Sequence, residues 1–246
     1  MYRRVPELSI LAPSRGDAAL YFSNVYSNPC EYASRLDQIR RLRKNVYVEA
    51  GYLSQEVSLS EYDKFDEKSW HLFVLGEGKS ELVACVRITY FAYQRLPDSE
   101  DILSFSGVQF PSHAVRAAYL LAIKAHLDKI HRHRKQFFYV GGMAVNQIAR
   151  RLGYGAILGM AANALARIMN HAEGLSFAQY SKEGAGLFQK LGGYPIKDDL
   201  PSFRCSHFGV ELLLMALRPY APSLRRDDLV EGIKNHLANQ TVTVGH

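Results

Sequence analysis

The run Phe137-Phe138-Tyr139-Val140-Gly141-Gly142-Met143-Ala144-Val145 leads directly into Asn146-Gln147-Ile148-Ala149-Arg150-Arg151-Leu152-Gly153-Tyr154-Gly155, and the reading of this stretch decides the fold. The first nine residues are a near-continuous apolar strand. From Tyr154 to about Ala172 the chain is full of alanine and leucine, which are strong helix formers. The turn between strand and helix is rich in glycine. Glycines let a backbone pass close to a ligand, and the amide N–H groups at a new helix start lack intrahelical acceptors. Those donors, with a helix dipole worth about half a positive charge, make an anion site. Arg150 and Arg151 add full charge beside it. A pyrophosphate or phosphopantetheine suits that chemistry. The bland alternative is an ordinary strand–turn–helix with two solvated arginines, and the strand before and helix after favour the ligand site.

Working outward, a strand is expected at Leu175–Tyr180, a short helix at Gly184–Leu191, a turn at Gly192-Gly193 and a strand at Phe208–Leu217. Upstream, Leu36, Ile39, Leu42 and Val46 lie on one helical face, and Gly51 is placed to stop that helix. His71–Leu75 and Leu82–Phe91 flank Gly76-Glu77-Gly78-Lys79 as a hairpin rich in β-branched and aromatic residues. Ser112 can cap a helix through Ile130. Residues 92–111, with Pro97, Asp98, Ser99, Glu100 and Pro111, read as a long loop and a candidate substrate lid. Residues 1–30 read as irregular apart from a strand-like piece at Leu8–Ala12. Beyond Pro219 and Pro222, the recurrence of Leu229, Ile233 and Leu237 predicts a peripheral C-terminal helix with a frayed end. The element order defines a mixed α/β (α+β) layer. One domain over residues 1–220 with a C-terminal helical extension over 221–246 is the expected organisation.

Composition agrees. With 246 residues, 48% hydrophobic and 22% charged, the chain buries a sizeable core, which excludes disorder, collagen and coiled coil. The longest apolar stretch, Val210–Leu217, contains Glu211 and falls far short of the roughly eighteen residues of a membrane span, so no transmembrane segment is expected. Pro6, Glu7 and Arg15 interrupt anything like a secretory leader after the basic start. Cys30, Cys85 and Cys205 are too few and too scattered for a disulfide framework or metal knuckle, so no metal and a reducing cytoplasm are expected. The net charge of +6 suits nucleic acid, an anionic membrane face, or an anionic cofactor or carrier, and does not choose among them.

Arg150-x-x-Gly153-x-Gly155, at its spacing from Val145, resembles the acyl-CoA pyrophosphate signature of the GNAT superfamily of N-acetyltransferases. Ala185-Gly-Leu-Phe-Gln-Lys-Leu-Gly192-Gly-Tyr194 resembles that superfamily's second motif, a short helix ending in Leu-Gly-aromatic. Together they cover roughly residues 137–196. Between residues 30 and 93, Arg43-x-x-x-Tyr47, Glu61-x-Asp63-x-x-Asp66 and the strand residue Arg87 resemble the acyl-homoserine-lactone synthases and, equally, the long-chain N-acyl amino acid synthases. The resemblance implies a mixed, mostly antiparallel central sheet flanked by helices. It implies transfer of an acyl group, with a tilt towards long chains, from acyl-CoA or an acyl carrier protein to the amine of an amino acid or similar small molecule. It assigns Met143, Ala144, Val145, Arg150, Arg151, Gly153, Tyr154 and Gly155 to acyl-CoA, and Arg43, Tyr47, Asp66 and Arg87 to the amine site or its support. Two departures stand out. The lactone synthases carry a Glu and an Arg on the strand where this chain has Tyr139 and Gly142, which weighs against lactone synthesis. The tyrosine that often protonates the leaving thiolate falls at Phe188, leaving Tyr180, Tyr194 or backbone dipoles alone to assist departure.

Acyl transfer to an amine needs a proton acceptor, a donor for the developing oxyanion and a means of holding both reactants. Glu61, Asp63 or Asp66 could accept the proton, because clustered carboxylates raise one another's pKa. The alternative is a structural ion network with Arg43 and Arg87, favoured somewhat for Asp66 and evenly balanced for Glu61. A backbone N–H of Met143, Ala144 or Val145 could meet the oxyanion if Gly141-Gly142 bulges the strand. His131-Arg132-His133-Arg134-Lys135 reads as a solvated helix end, with an acidic carrier protein or a 3′-phosphate as alternative occupants. His71 and His113 read as structural and Cys85 as core. Trp70, Phe91, Tyr93, Phe105 and Phe110 read as packing, with an acyl tunnel as the sharper alternative. A nucleotide-binding oxidoreductase using Gly153-x-Gly155-x-x-x-Gly159 competes, but the next strand ends at Tyr180 rather than in a ribose-binding acid. A catalytically silent GNAT-like binding protein is another alternative. A nucleic-acid module is least supported, lacking interleaved lysines and aromatics.

Overall fold

A computed structural model of the chain describes residues 7–14, 18–53, 65–76, 78, 81–170, 172–180, 184–206, 208–218 and 227–245. The strands are β1 (Leu8–Leu11), β2 (Val25–Ser27), β3 (Trp70–Leu75), β4 (Leu82–Phe91), β5 (Phe137–Val145), β6 (Glu173–Gln179), β7 (Gly193–Pro195), β8 (Phe203–Arg204), β9 (Glu211–Leu217) and β10 (Val242–Val244). The helices are α1 (Pro29–Glu49), α2 (Ser99–Ser106), α3 (His113–Arg132), α4 (Tyr154–Ile168), α5 (Gly184–Lys190) and α6 (Asp227–Ala238). The strands form one sheet in the order β2-β10-β1-β3-β4-β5-β6-β9-β7, with β8 also pairing β9. Three pairs are parallel, β1·β10, β10·β2 and β5·β6. The others are antiparallel. This is a mixed, mostly antiparallel sheet flanked by helices, not the doubly wound parallel sheet that a dinucleotide-binding oxidoreductase would need.

Strand alternation sorts the core into two layers. Phe138 and Val140 of β5 pack with Trp70, Leu72 and Val74 of β3 under α4 and α6. Phe137 and Tyr139 face the opposite side, where α2 and α3 cover them. On that same side α1 lays Leu36, Ile39, Leu42 and Val46 over Phe73 and Cys85. Both faces are covered, so the central strands read as apolar runs with little polar interruption.

Three features differ from the sequence reading. The long loop expected over residues 92–111 contains α2. Asp98 accepts from the Asp101 N–H at 2.8 Å while the Asp101 side chain accepts from the Asp98 N–H at 3.3 Å, a reciprocal cap. Proline, acidic residues and serine are helix-start signals as well as loop residues, and here they start a helix. The C-terminal helix is not peripheral: Val230, Ile233 and Leu237 are buried, and buried Arg167 of α4 pairs with Asp227 and Glu231. The end expected to fray forms β10, inserted between β2 and β1. A three-residue strand has no periodicity of its own to reveal it. Boundaries also move, since α4 ends at Ile168 and β9 begins at Glu211.

Candidate active site

The site lies where β5 and β6 separate. Their register covers only Phe137–Tyr139 against Glu173–Leu175. Beyond that point β5 follows β4 to Val145, whereas β6 follows β9 to Gln179. The β4·β5 register shifts between Cys85 and Arg87: Ala144 faces Cys85 and Gly141 faces Arg87, so Gly142 and Met143 together oppose Val86. That is a β-bulge. Gly142 sits there at φ +60°, and a Cβ would come within 2.9 Å of Arg43 Nη1. Both conformation and close approach require glycine.

The bulge opens on a cavity of about 500 Å³. Arg43, Lys44 and Tyr47 of α1 and Arg87 of β4 form one wall, while Gly141–Met143 and Ser176–Gln179 form the split sheet. Ser104, Ser106 and Gln109 add polar groups from α2 and the segment after it, and Phe188 closes the α5 side. Tyr52 roofs the cavity: its ring lies 6.2 Å from Tyr47 and 6.3 Å, edge on, from Phe208. Its hydroxyl reaches Gln179 Oε1 at 3.4 Å, bridging α1 to β6.

Behind the cationic wall sits Asp66, with no exposed surface. Arg43 donates to both its oxygens, Nη1 to Oδ1 at 2.9 Å, and Arg87 Nη1 and Arg40 Nε follow at 3.3 and 3.2 Å. Burial alone would raise the Asp66 pKa, but Arg43, His71 and Arg87 override it and hold the carboxyl well below the usual range. Asp66 is therefore the counterion of a structural cluster and an unsuitable proton acceptor. His71 touches the Asp66 carbonyl at 3.0 Å through Nε2, and burial pushes its pKa down to about 4. Tyr139, also lining the cavity, keeps its proton because burial raises its pKa.

The glycine-bearing turn follows β5. Asn146 Oδ1 accepts from the Ala149 N–H at 2.8 Å, and exposed Arg150 and Arg151 lie on a 3-10 turn, Arg150–Leu152. Arg150 Nε donates to the Val145 carbonyl at 3.3 Å. Gly153, at φ +79°, reverses the chain so that α4 starts at Tyr154 with its first amides directed out of the helix start.

The structure thus brings Arg43, Tyr47, Arg87 and Met143 to the cavity and places Asp66 directly behind it. Ala144 is buried beneath α1, and Val145 packs into the other layer. Arg150, Arg151, Gly153, Tyr154 and Gly155 form the adjoining turn and helix start. Tyr180, considered as a proton donor, is not among the residues lining the cavity: its N–H extends the pairing with β9 by binding the Glu211 carbonyl, and the residue is 55% exposed. Tyr194 stacks under Arg218 and does not line the cavity either. Glu61 and Asp63 lie outside the described residues. Among the proposed tunnel aromatics, Trp70, Phe91, Tyr93 and Phe110 do not line the cavity, and Phe110 instead stacks on Phe203 at 4.6 Å. The Phe105 side chain lies outside the described residues. In the basic run, His133 and Arg132 bond to the carbonyls of Lys129 and Asp128, and Lys135 pairs with Glu173, which makes it a helix terminus. Sequence reasoning missed Lys44, Tyr52, Gln109, Gln179 and Phe208. Only Lys44, beside Arg43, had a local signal.

The sheet with its parted β5–β6 pair has the GNAT acyltransferase fold. Residues 42–151 match the family described as the acetyltransferase (GNAT) domain. Among solved structures, FeeM, an N-acyl amino acid synthase from uncultured soil microbes, is 12% identical with a TM-score of 0.53, over 87% of this chain and 92% of that one. BjaI, a CoA-dependent acyl-homoserine lactone synthase solved with SAM and isopentyl-CoA, is 16% identical with a TM-score of 0.52, over 89% and 90%. An acyl-CoA N-acyltransferase from Pseudomonas aeruginosa is 15% identical with a TM-score of 0.50, over 87% and 99%. At these identities the likeness is one of fold. No curated protein matches the sequence. Among the described residues no helix is long and apolar enough to cross a membrane, and no group of three His, Cys, Asp or Glu could hold a metal ion.

Proposed function

We propose that the protein transfers an acyl group from acyl-CoA to the amine of a small acceptor carrying a carboxylate, an amino acid or a close analogue. One observation carries this reading: the split sheet and its bulge open on a cavity whose wall bears Arg43, Lys44 and Arg87. That wall favours an anionic group on the acceptor and disfavours a simple alkylammonium ion. The phosphates bind at the start of α4 beside Arg150 and Arg151, and the pantetheine arm enters between β5 and β6. The amine, once neutral, attacks the thioester carbonyl, a bulge amide receives the oxyanion, and collapse of the adduct forms the amide and releases the CoA thiolate, which takes up a proton. Glu61 is the candidate acceptor for the amine's proton. An acyl carrier protein is the alternative donor.

Thiol release from acyl-CoAs, from acetyl to palmitoyl, with each amino acid and with the matching decarboxylated amine tests this reading. Turnover should require the carboxylate, and mass spectrometry should find the N-acyl product. Turnover with the decarboxylated amines alone would overturn the acceptor assignment. In calorimetry, Arg150→Glu with Arg151→Glu should weaken CoA binding about 100-fold, the loss of roughly two charge-assisted hydrogen bonds. Unchanged affinity would remove the phosphate turn from the site.

A further inference from the structure

Resting on the acyltransferase reading above, we infer that Tyr47 is a positioning residue for the acyl-transfer step, its hydroxyl tethering the bulge whose amide receives the thioester oxygen. The Tyr47 hydroxyl donates to the Met143 carbonyl at 3.3 Å, across 96 residues of sequence. Within the same bulge, Cys85 Sγ approaches the Gly142 carbonyl at 3.9 Å. A peptide unit is planar and trans, so its C=O and N–H point in opposite directions. Fixing the Gly142 carbonyl towards β4 therefore turns the Met143 N–H away from it, towards the gap between β5 and β6. Fixing the Met143 carbonyl towards α1 sets the next peptide plane and stops the bulge from swivelling about Met143.

The bulge needs such a tether because β6 has left. Among the described residues no paired strand borders β5 on that side beyond Tyr139, so ladder hydrogen bonds from one described neighbour hold it. Helix α1 supplies the missing restraint from two residues one turn apart on its inner face. Arg43, anchored on Asp66, fills the space beside Gly142, and Tyr47 takes the Met143 carbonyl. The helix that walls the acceptor side thus also sets the angle of the oxyanion donor.

Tyr47→Phe keeps the ring against Tyr52 and removes the hydroxyl that forms the tether. The test compares wild type and Tyr47→Phe by calorimetry with two CoA analogues of equal chain length. One is a ketone, in which methylene replaces sulfur and the carbonyl remains. The other is a thioether without a carbonyl. Wild type should bind the ketone more tightly, and Tyr47→Phe should lose that preference by about tenfold while holding the thioether equally well; kcat/KM for acyl-CoA should fall by a similar factor, less than the 10²–10³ lost with a whole oxyanion donor. Equal weakening of both analogues, or an unchanged preference, overturns the inference and leaves the acyltransferase reading standing. Failure of wild type to bind either analogue overturns both. Tyr47→Met, which gives up ring and hydroxyl together, should lose the same preference, and a Tyr47→Met that retained it would equally refute the tether.

Discussion

Replacing Asp66 by Asn tests the ion cluster behind the cavity most directly. The carboxylate is fully buried and is shared by Arg43, Arg87 and Arg40, and the Arg43 and Arg87 side chains are only 5% and 6% exposed. An asparagine presents one acceptor oxygen, and its NH₂ faces a guanidinium that is itself only a donor. The two buried guanidiniums then share a neutral amide in place of a carboxylate. Removing one partner of a buried pair costs about 3–5 kcal/mol, and in a chain of this size each kcal/mol moves Tm by about 2–4 °C. Asp66→Asn should therefore lose roughly 6–20 °C in Tm, with a matching fall in the urea midpoint at unchanged slope. Its pH dependence adds a second signature. Because the folded carboxyl is held below its unfolded value of about 3.9, it stabilises the protein above that pH and ceases to do so as pH falls through the folded value. The gap between wild type and Asp66→Asn should be full near neutrality and narrow in acid, starting below about pH 4. A loss under about 1 kcal/mol at neutral pH, the size of an exposed pair, would refute the cluster as a cohesive unit.

Gly142→Ala should cost about 1–3 kcal/mol in urea unfolding, since alanine is strained at φ +60° and its Cβ would meet Arg43; wild-type stability and turnover together would show that the bulge is not needed in this form. His71 and His126 are kept neutral by burial, each pushed down to about 4. The unfolded chain binds those protons near pH 6.5, so stability should decline as pH drops from about 6.5 towards 4, by up to about 1.4 kcal/mol per pH unit for each histidine. A flat stability profile across that window, followed by circular dichroism, would contradict it, and His126→Gln should halve the slope. Phe188→Tyr should fold normally, since Phe188 lines the cavity and is half-buried, and should raise kcat about tenfold or more if the natural enzyme lacks an acid at this position. An unchanged kcat would mean that the thiolate leaves without help from a side chain there.

Short-range signals carried most of the architecture. Nine consecutive apolar residues, a glycine-bearing stretch and an alanine-rich run marked β5, the turn after it and α4, because each depends only on neighbours within a turn or two. The same locality explains the misses. Asp98 and Ser99 suit a loop as well as a helix cap, and only packing of Ile102 and Leu103 beneath α3 decides for the helix. Val242–Val244 becomes a strand because two partners from the far N-terminus flank it. At the site, the pairing of Asp66 with Arg43 and Arg87 was legible as an ion network, but the arrival of Arg40 on the same carboxylate was not. Likewise, nothing local distinguishes Tyr52 and Phe208, which line the cavity, from Tyr180, which does not. By itself the sequence determined the helices other than α2, the hairpin, the apolar strand and the glycine-bearing turn after it, since backbone hydrogen bonding and side-chain periodicity act over a few residues. Only the tertiary structure decided where β6 leaves β5, and therefore where the cavity opens and which side chains face it, because strand partnership is settled by chain segments far apart in sequence competing for the same edge.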